Sequence, residues 1–374
     1  MGTIKRIFVD GFKSLKELKG FELNALNVIV GANGAGKSNF IQIFKMLLAM
    51  SQGAFQHFIK MNGGADAFPF LGLKETPVIN IGFEFTSNSK KPSGSNYYRF
   101  TMSPTISEDM LLTEERRYEI YNWRSYGSPS LESRLAEQKN ERSSDGQWDG
   151  VGFFVYDAIS KWMVYHFHDS SSTAPMRRSE IVEDCAALRE DGGNIAPFLL
   201  SLRYNYPDYY EKIRNAVRLV IPFFEDFSLD IIPMGEAQKV KLTWKQKGTA
   251  YPMQPYHFSD GSIRFICLAT ALLQPTPPTT IVIDEPELGL HPEAIHILAE
   301  LITLAAKRTQ VIIATQSPML LDNFSIDDII VAKRQQGATT LEHLKEEDYR
   351  VWLEDYSVGE LWSHDIIHGG TIYE

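Results

Sequence analysis

Apolar positions along this chain follow two periods, and each change of period marks an element. Residues 4–9 alternate as a strand, with a turn expected at Asp10-Gly11, and residues 16–21 alternate again. Leu26-Asn27-Val28-Ile29-Val30 is a short, nearly unbroken apolar run, the mark of a strand covered on both faces. Phe40, Ile41, Phe44, Leu47 and Leu48 then recur at helical spacing. Residues 53–76 are glycine-rich and read as irregular. Residues 78–85 and 97–100 read as a hairpin across a polar loop at 88–96. From 103 to 150 the pattern is weak, with a short helix expected over 131–139 and a solvated loop over 140–150. Residues 151–156 and 162–167 predict a second hairpin. The period then lengthens: 180–190, 194–205 and 208–221 predict helices, punctuated by Pro207 and Pro222.

At 374 residues the chain is long for one core, so two lobes are expected. The pattern places one unit over 1–102 and 236–374. An inserted lobe, a hairpin plus helices, lies between them over 103–235. No sustained heptads occur, which excludes a long coiled-coil arm. No run of eighteen apolar residues exists and the N-terminus lacks a signal peptide's apolar core, so no membrane partner is expected. The two cysteines, Cys185 and Cys267, lie far apart without metal-site spacing, which suits a reducing, cytoplasmic setting.

The densest chemistry lies at Gly31-Ala32-Asn33-Gly34-Ala35-Gly36-Lys37-Ser38, which fits G-x-x-x-x-G-K-[ST] between a predicted strand and a predicted helix. Glycines let successive N–H groups turn inward on phosphate oxygens, and the helix N-terminus adds partial positive charge. Lys37 is expected to bridge the outer phosphates and the Ser38 hydroxyl to ligate Mg²⁺. These residues imply that a nucleoside triphosphate binds here. A second apolar strand, 280–283, ends in Asp284 and Glu285. Acids delivered at a strand's C-terminal end suit Mg²⁺ (Asp284) and polarisation of a water for in-line attack on the γ-phosphorus (Glu285). The third piece, Phe258-Ser259-Asp260-Gly261-Ser262-Ile263-Arg264, opens a helix with Ser259 as N-cap and forms a second anion site.

Other features admit two readings. Residues 239–245 alternate Lys239, Lys241 and Lys245 with Val240, Leu242 and Trp244. That is a basic ribbon for a phosphate backbone or a solvated edge strand. The formal charge of -10 means that any DNA contact must use such a local patch. His166 and His168 alternate as on a solvated strand face, with no third metal ligand in view.

Taken together, residues 31–39, 258–264 and 281–292 resemble the ABC-type ATPases of the SMC and RecF kind. The likeness is strongest to the stand-alone AAA/ABC-like ATPases of prokaryotic DNA repair and anti-phage defence. Phe8, Phe12 and Ser14, Asn33 and Asn39 around the loop, and Glu287, Gly289, Leu290, His291 and Pro292 after the acids carry it further, as do residues 356–362. The resemblance implies an α/β, ABC-type P-loop NTPase head with a mixed sheet and an inserted, largely helical lobe. It implies that Asn33, Gly34, Ala35, Gly36, Lys37, Ser38 and Asn39 hold ATP, with Ser38 and Asp284 on Mg²⁺. It also implies a homodimer or higher homo-oligomer, in which Ser259, Gly261 and Ser262 of one copy cap the γ-phosphate held by the other. Glu285, Lys37 and Gln316 would serve hydrolysis. Gln316 stands where the family usually has a switch histidine, and it is either a phosphate sensor or a structural amide. Gln52 and Gln56 are placed for the family's glutamine loop by position only, and His291 is either a subunit contact or a turn residue. The function implied is ATP-driven control of DNA binding or of a partner effector, a nuclease or toxin. The alternatives are a transporter's nucleotide-binding subunit and a non-hydrolysing scaffold.

Overall fold

The computed structural model of the chain describes residues 2–86, 94–140, 150–235 and 237–368. Strands β1 (Ile4–Phe12) and β2 (Leu15–Glu22) form a hairpin that turns at Lys13, whose φ of 50° is left-handed. The turn expected at Asp10-Gly11 is absent, since β1 runs straight through it. Strand β3 (Leu26–Val30) is buried throughout and leads into helix α1 (Lys37–Ser51). Residues 53–76 are less irregular than expected, because helix α2 (Phe55–Met61) buries Phe55 and Ile59 one turn apart. Strands β4 (Ile79–Thr86) and β5 (Ser95–Pro104) make the expected hairpin. Most of its connecting loop at 88–96, and of the loop expected over 140–150, lies outside the described residues.

Strand β6 (Met110–Tyr118), with the two-residue β7 (Arg124–Ser125), fills the stretch where the pattern was weak. A buried Glu114 interrupts the apolar alternation of Met110 and Leu112 there. Its carboxylate accepts hydrogen bonds from the Tyr98 hydroxyl at 2.6 Å, Ser133 Oγ at 2.7 Å and the Arg134 amide at 2.7 Å. The short helix expected over 131–139 is a 3-10 turn at Leu135–Asn140.

The second expected hairpin is not formed. Helix α3 (Val151–Ser160) replaces its first arm, burying Gly152, Val155, Ala158 and Ile159 at helical spacing. Strand β8 (Trp162–Tyr165) pairs in parallel with a distant strand instead. The helix expected over 180–190 is also replaced, by strand β9 (Glu180–Ile181) and a set of turns wrapped around Asn194. The Asn194 amide donates to the carbonyls of Asp184 and Ala187, and its Oδ1 accepts from the Arg189 amide. Helices α4 (Ile195–Asn205) and α5 (Pro207–Val220) follow as expected.

Strands β10 (Phe224–Phe227), β11 (Ile231–Met234), β12 (Ala237–Val240), β13 (Trp244–Gln246) and β14 (Pro252–Met253) make two small sheets. The alternating stretch 239–245 is therefore not one strand. It is split between the two sheets, Lys241 donates to Gln254, and the three lysines form no common row. Helix α6 (Asp260–Leu273), β15 (Thr280–Asp284), α7 (Pro292–Ala306), β16 (Gln310–Thr315), α8 (Pro318–Leu321), β17 (Ile329–Gln335) and β18 (Ala338–His343) come next. The short helices α9 (Glu346–Tyr349) and α10 (Val358–Ser363) follow.

Two six-stranded sheets organise these elements. One is antiparallel, in the order β2-β1-β4-β5-β6-β7. The other runs β18-β17-β3-β16-β15-β8 and is parallel except at β18. Residues from the two faces of the second sheet enter two different cores. Val28, Val30, Ile281 and Ile313 pack with α4 to α7, while Ile29, Val282 and Ile312 pack with α1 and the antiparallel sheet. That double burial explains the continuous apolar runs. No helix among the described residues is long and apolar enough to cross a membrane. Trp162 joins the layers, its ring 5.3 Å from Phe44, 5.9 Å from Phe83 and 6.3 Å from Phe85. Trp162→Ala is expected to cost about 3–5 kcal/mol in chemical denaturation; an unchanged midpoint and slope would show that this junction does not hold the layers together.

Candidate functional site

Because β8, β15, β16 and β3 run in parallel, their C-terminal ends open on one edge of the sheet, where α/β folds bind ligands. β3 delivers the loop of residues 31–36 there. Its last residue, Gly36, has a φ of 103°, and a Cβ on it would lie 2.1 Å from Thr339 Oγ1, so only glycine fits. Thr339 Oγ1 lies 2.7 Å from Ser14 Oγ and donates to the Ala35 carbonyl at 2.8 Å, and Asn39 Nδ2 donates to the same Ser14 hydroxyl at 2.7 Å. Ser14, Asn39 and Thr339 thus brace the loop from behind. No side chain caps α1, which leaves its first-turn amides free to face an anion. Ser38 is exposed beside Lys37.

Lys37 is buried, and its Nζ donates to the Gly31 carbonyl at 2.5 Å and the Ala32 carbonyl at 3.2 Å. Burial lowers the pKa of its ammonium, while Glu285, Asp284 and Glu287 push it back up. Asp284 ends β15. Burial first, and Glu285 next to it, raise the pKa of its carboxyl above the usual range. Crowded carboxylates beside an exposed hydroxyl are a hard, oxygen-rich donor set that fits Mg²⁺. Among the described residues no three His, Cys, Asp or Glu side chains are arranged to hold a metal by themselves.

Glu285 turns the chain at the strand end with a φ of 43°, its amide donating to the Ala314 carbonyl at 2.8 Å. The Gln316 amide Nε2 donates to Glu285 Oε1 at 2.7 Å and to Asn33 Oδ1 at 2.9 Å. It therefore bridges the acid and the phosphate loop. One residue back, Thr315 Oγ1 donates to Glu287 Oε1 at 2.5 Å, and burial raises the pKa of Glu287.

Ser259 caps α6, accepting from the Ser262 amide at 3.1 Å and donating to Ser262 Oγ at 2.8 Å. It is exposed, and among the described residues its hydrogen bonds do not reach the phosphate loop. Two buried arginines hold this turn. Arg177 donates to the carbonyls of Pro255 and Phe258 and pairs with Asp260 at 2.8 Å. Arg264 donates to the carbonyls of Phe167, His168 and Leu288. At Gly261 a Cβ would stand 2.3 Å from the Gly289 carbonyl, so the two loops touch backbone to backbone.

The remaining expected residues fall as follows. Gln56 is tied to the main chain of Met110, its Nε2 donating to the carbonyl at 2.6 Å and its Oε1 accepting from the amide at 3.1 Å. Gln52 lies at the far end of α1, about 22 Å along the helix from the loop. His291 caps α7, its Nδ1 accepting from the Glu293 amide at 3.4 Å. The rings of His166 and His168 stack at 4.3 Å, and His168 Nε2 lies 3.1 Å from the Asp284 carbonyl oxygen. Sequence reading missed Thr339, Arg177, Thr315 and the proximity of His168, since no motif announces them. The parallel neighbour of β15 was the signal for His168, hidden once β8 was read as a hairpin arm.

Comparison with known proteins identifies the family and the fold. The family described as "AAA domain, putative AbiEii toxin, Type IV TA system" matches residues 26–121 and 174–322, well over half of the chain. The structural maintenance of chromosomes protein 3 of Arabidopsis thaliana is 46% identical over 48 residues, 12% of this chain and 4% of that protein. A crystal structure of an Smc head bound to the C-winged helix domain of ScpA superposes with a TM-score of 0.60 at 16% identity, covering 93% of this chain and 99% of that one. An Smc head with an extended coiled coil, bound to the C-terminal domain of ScpA derived from Pyrococcus furiosus, gives 0.57 at 16% identity over 95% and 99%. These likenesses establish the mixed α/β fold of an SMC head, although β6, β7 and β8 of the stretch expected as a separate lobe join the two main sheets. Gly36→Ala is expected to weaken ATP binding by about tenfold or more in calorimetry, from strain and the Thr339 clash; wild-type affinity would contradict the bracing of the loop.

Proposed function

The chain belongs to the family described as "AAA domain, putative AbiEii toxin, Type IV TA system", and from that premise we propose that it is an SMC/RecF-like ABC-type ATPase hydrolysing ATP between two head-to-tail copies. The observation that carries the proposal is the bridge from Gln316 to both Glu285 and Asn33, which sets an acid beside a phosphate-binding loop. In this reading Lys37 and the amides at the start of α1 hold the β- and γ-phosphates. Glu285 takes the proton of the attacking water, and Gln316 keeps the carboxylate turned towards it. Mg²⁺, held by Ser38, Asp284 and the phosphates, would neutralise the charge that develops on the transferred phosphoryl oxygens.

Ser259 is exposed at the N-terminus of α6, with Gly261 and Ser262 half-buried beside it, a placement suited to the γ-phosphate of a second copy. ATP would hold two heads together and hydrolysis would part them. We assign the chain control of a partner effector, a nuclease or toxin in anti-phage defence or DNA repair, on the resemblance of its motifs. ScpA bound to the Smc heads is the model for a protein partner on a head of this fold. The split of the 239–245 lysines gives DNA contact no support from a continuous basic ribbon. The setting we assign is the cytoplasm.

Lys37→Ala is expected to abolish ATP binding. Glu285→Gln is expected to bind ATP, stop phosphate release and accumulate dimers in light scattering. Turnover at the wild-type rate by Glu285→Gln would remove Glu285 as the base. A wild type that dimerises with ATP but never releases phosphate would point to a scaffold.

A further inference from the structure

Gln316 reaches Glu285 and Asn33 only if the turn after β16 holds its main chain in place; Ser317 caps the start of α8 there, and Thr315 anchors the turn from the strand side. Thr315, the last residue of β16, is fully buried, and its Oγ1 donates to Glu287 Oε1 at 2.5 Å while accepting from the Ser317 amide at 2.9 Å. Glu287 in turn belongs to the loop that leaves β15, where Leu290 donates to its carbonyl at 3.0 Å. Its second oxygen, Oε2, is buried without a hydrogen bond, and the main-chain amides of Glu287 and Gln316 favour the charged form of the carboxyl. One hydroxyl therefore ties the exit of β16 to the exit of β15, directly behind the Gln316–Glu285 contact. A carboxylate is expensive to bury for packing alone.

We propose that Glu287 and Thr315 are positioning residues that set Gln316 against Glu285, so that the water-polarising acid is held in register with the phosphate loop. Neither side chain touches the nucleotide; both act through Gln316. The inference rests on Glu285 serving as the base. Its test therefore includes a readout that does not need turnover.

That readout is hydrogen exchange at the Ser317 amide, which the Thr315 hydroxyl shields. Thr315→Val and Glu287→Ala are expected to raise exchange at residues 315–317 while leaving β3, β15 and α1 protected. In the same variants kcat is expected to fall about tenfold or more, with ATP affinity within about threefold of wild type. Thr315→Ser keeps the hydroxyl and is expected to restore both. Glu287→Gln keeps an acceptor for Thr315, so it too is expected to stay within about threefold of wild type in kcat. Combined with Gln316→Ala, Thr315→Val should cost nothing further, because both losses pass through one side chain.

Unchanged exchange at Ser317 in Thr315→Val would overturn the brace, whatever the turnover. So would additive losses in the double variant, or Glu287→Gln falling as far as Glu287→Ala, which would make Glu287 act by its charge. Should Glu285→Gln retain wild-type turnover, the assignment of the base fails instead, and the exchange measurement alone decides the brace.

Discussion

A parallel sheet must be covered on both faces, so its strands can meet solvent only at their ends, and every reactive group of this site depends on that constraint. β3, β15 and β16 lie side by side in the middle of the molecule with residues of alternating direction in two separate cores. Their lengths are matched, so the phosphate loop, the acid pair and Gln316 emerge at one level. The sheet does not merely carry these loops. It fixes which of them are neighbours, and the hydrogen bonds from Gln316 to Asn33 and Glu285 follow from the order β3-β16-β15.

The loops are then stiffened by contacts that cross between sequence-distant segments. Thr339 and Ser14 press on the back of Gly36, Arg177 and Arg264 hold the turn of Ser259, and Thr315 ties the exits of two strands. Each uses buried donors on backbone carbonyls or a single acceptor. Such bonds are worth little net but are costly to break, because the abandoned partner stays out of water. Rigidity of this kind suits a site whose proposed task is to hold a charged phosphoryl group in line with an acid.

Much of the machinery was legible in the sequence because its motifs are local. Glycine spacing, a strand ending in two acids and a serine-capped helix are each written within a dozen residues. The α/β head, its mixed sheet and α4 and α5 were readable for the same reason. What was hidden depended on partners far along the chain. Residues 151–156 are β-branched and aromatic enough to suit a strand, and only the later Ala158 and Ile159 complete the helical face that the core accepts. Residues 180–190 carry helix formers, yet the buried amide of Asn194 folds them into turns. The bracing residues Thr339, Arg177 and Thr315 belong to no motif, since each is defined by what the fold sets opposite it.

Glu114 shows a related economy in the antiparallel sheet. Its three donors come from β5 and from the turn beyond β7, so they converge on only one alignment of β6 with its neighbours. A strand threaded two residues out of step would still present alternating side chains, but would leave a lone charge in the dark at a cost of about 3–5 kcal/mol. The carboxylate thus works as an index mark, penalising the misthreaded forms that an all-apolar strand would tolerate.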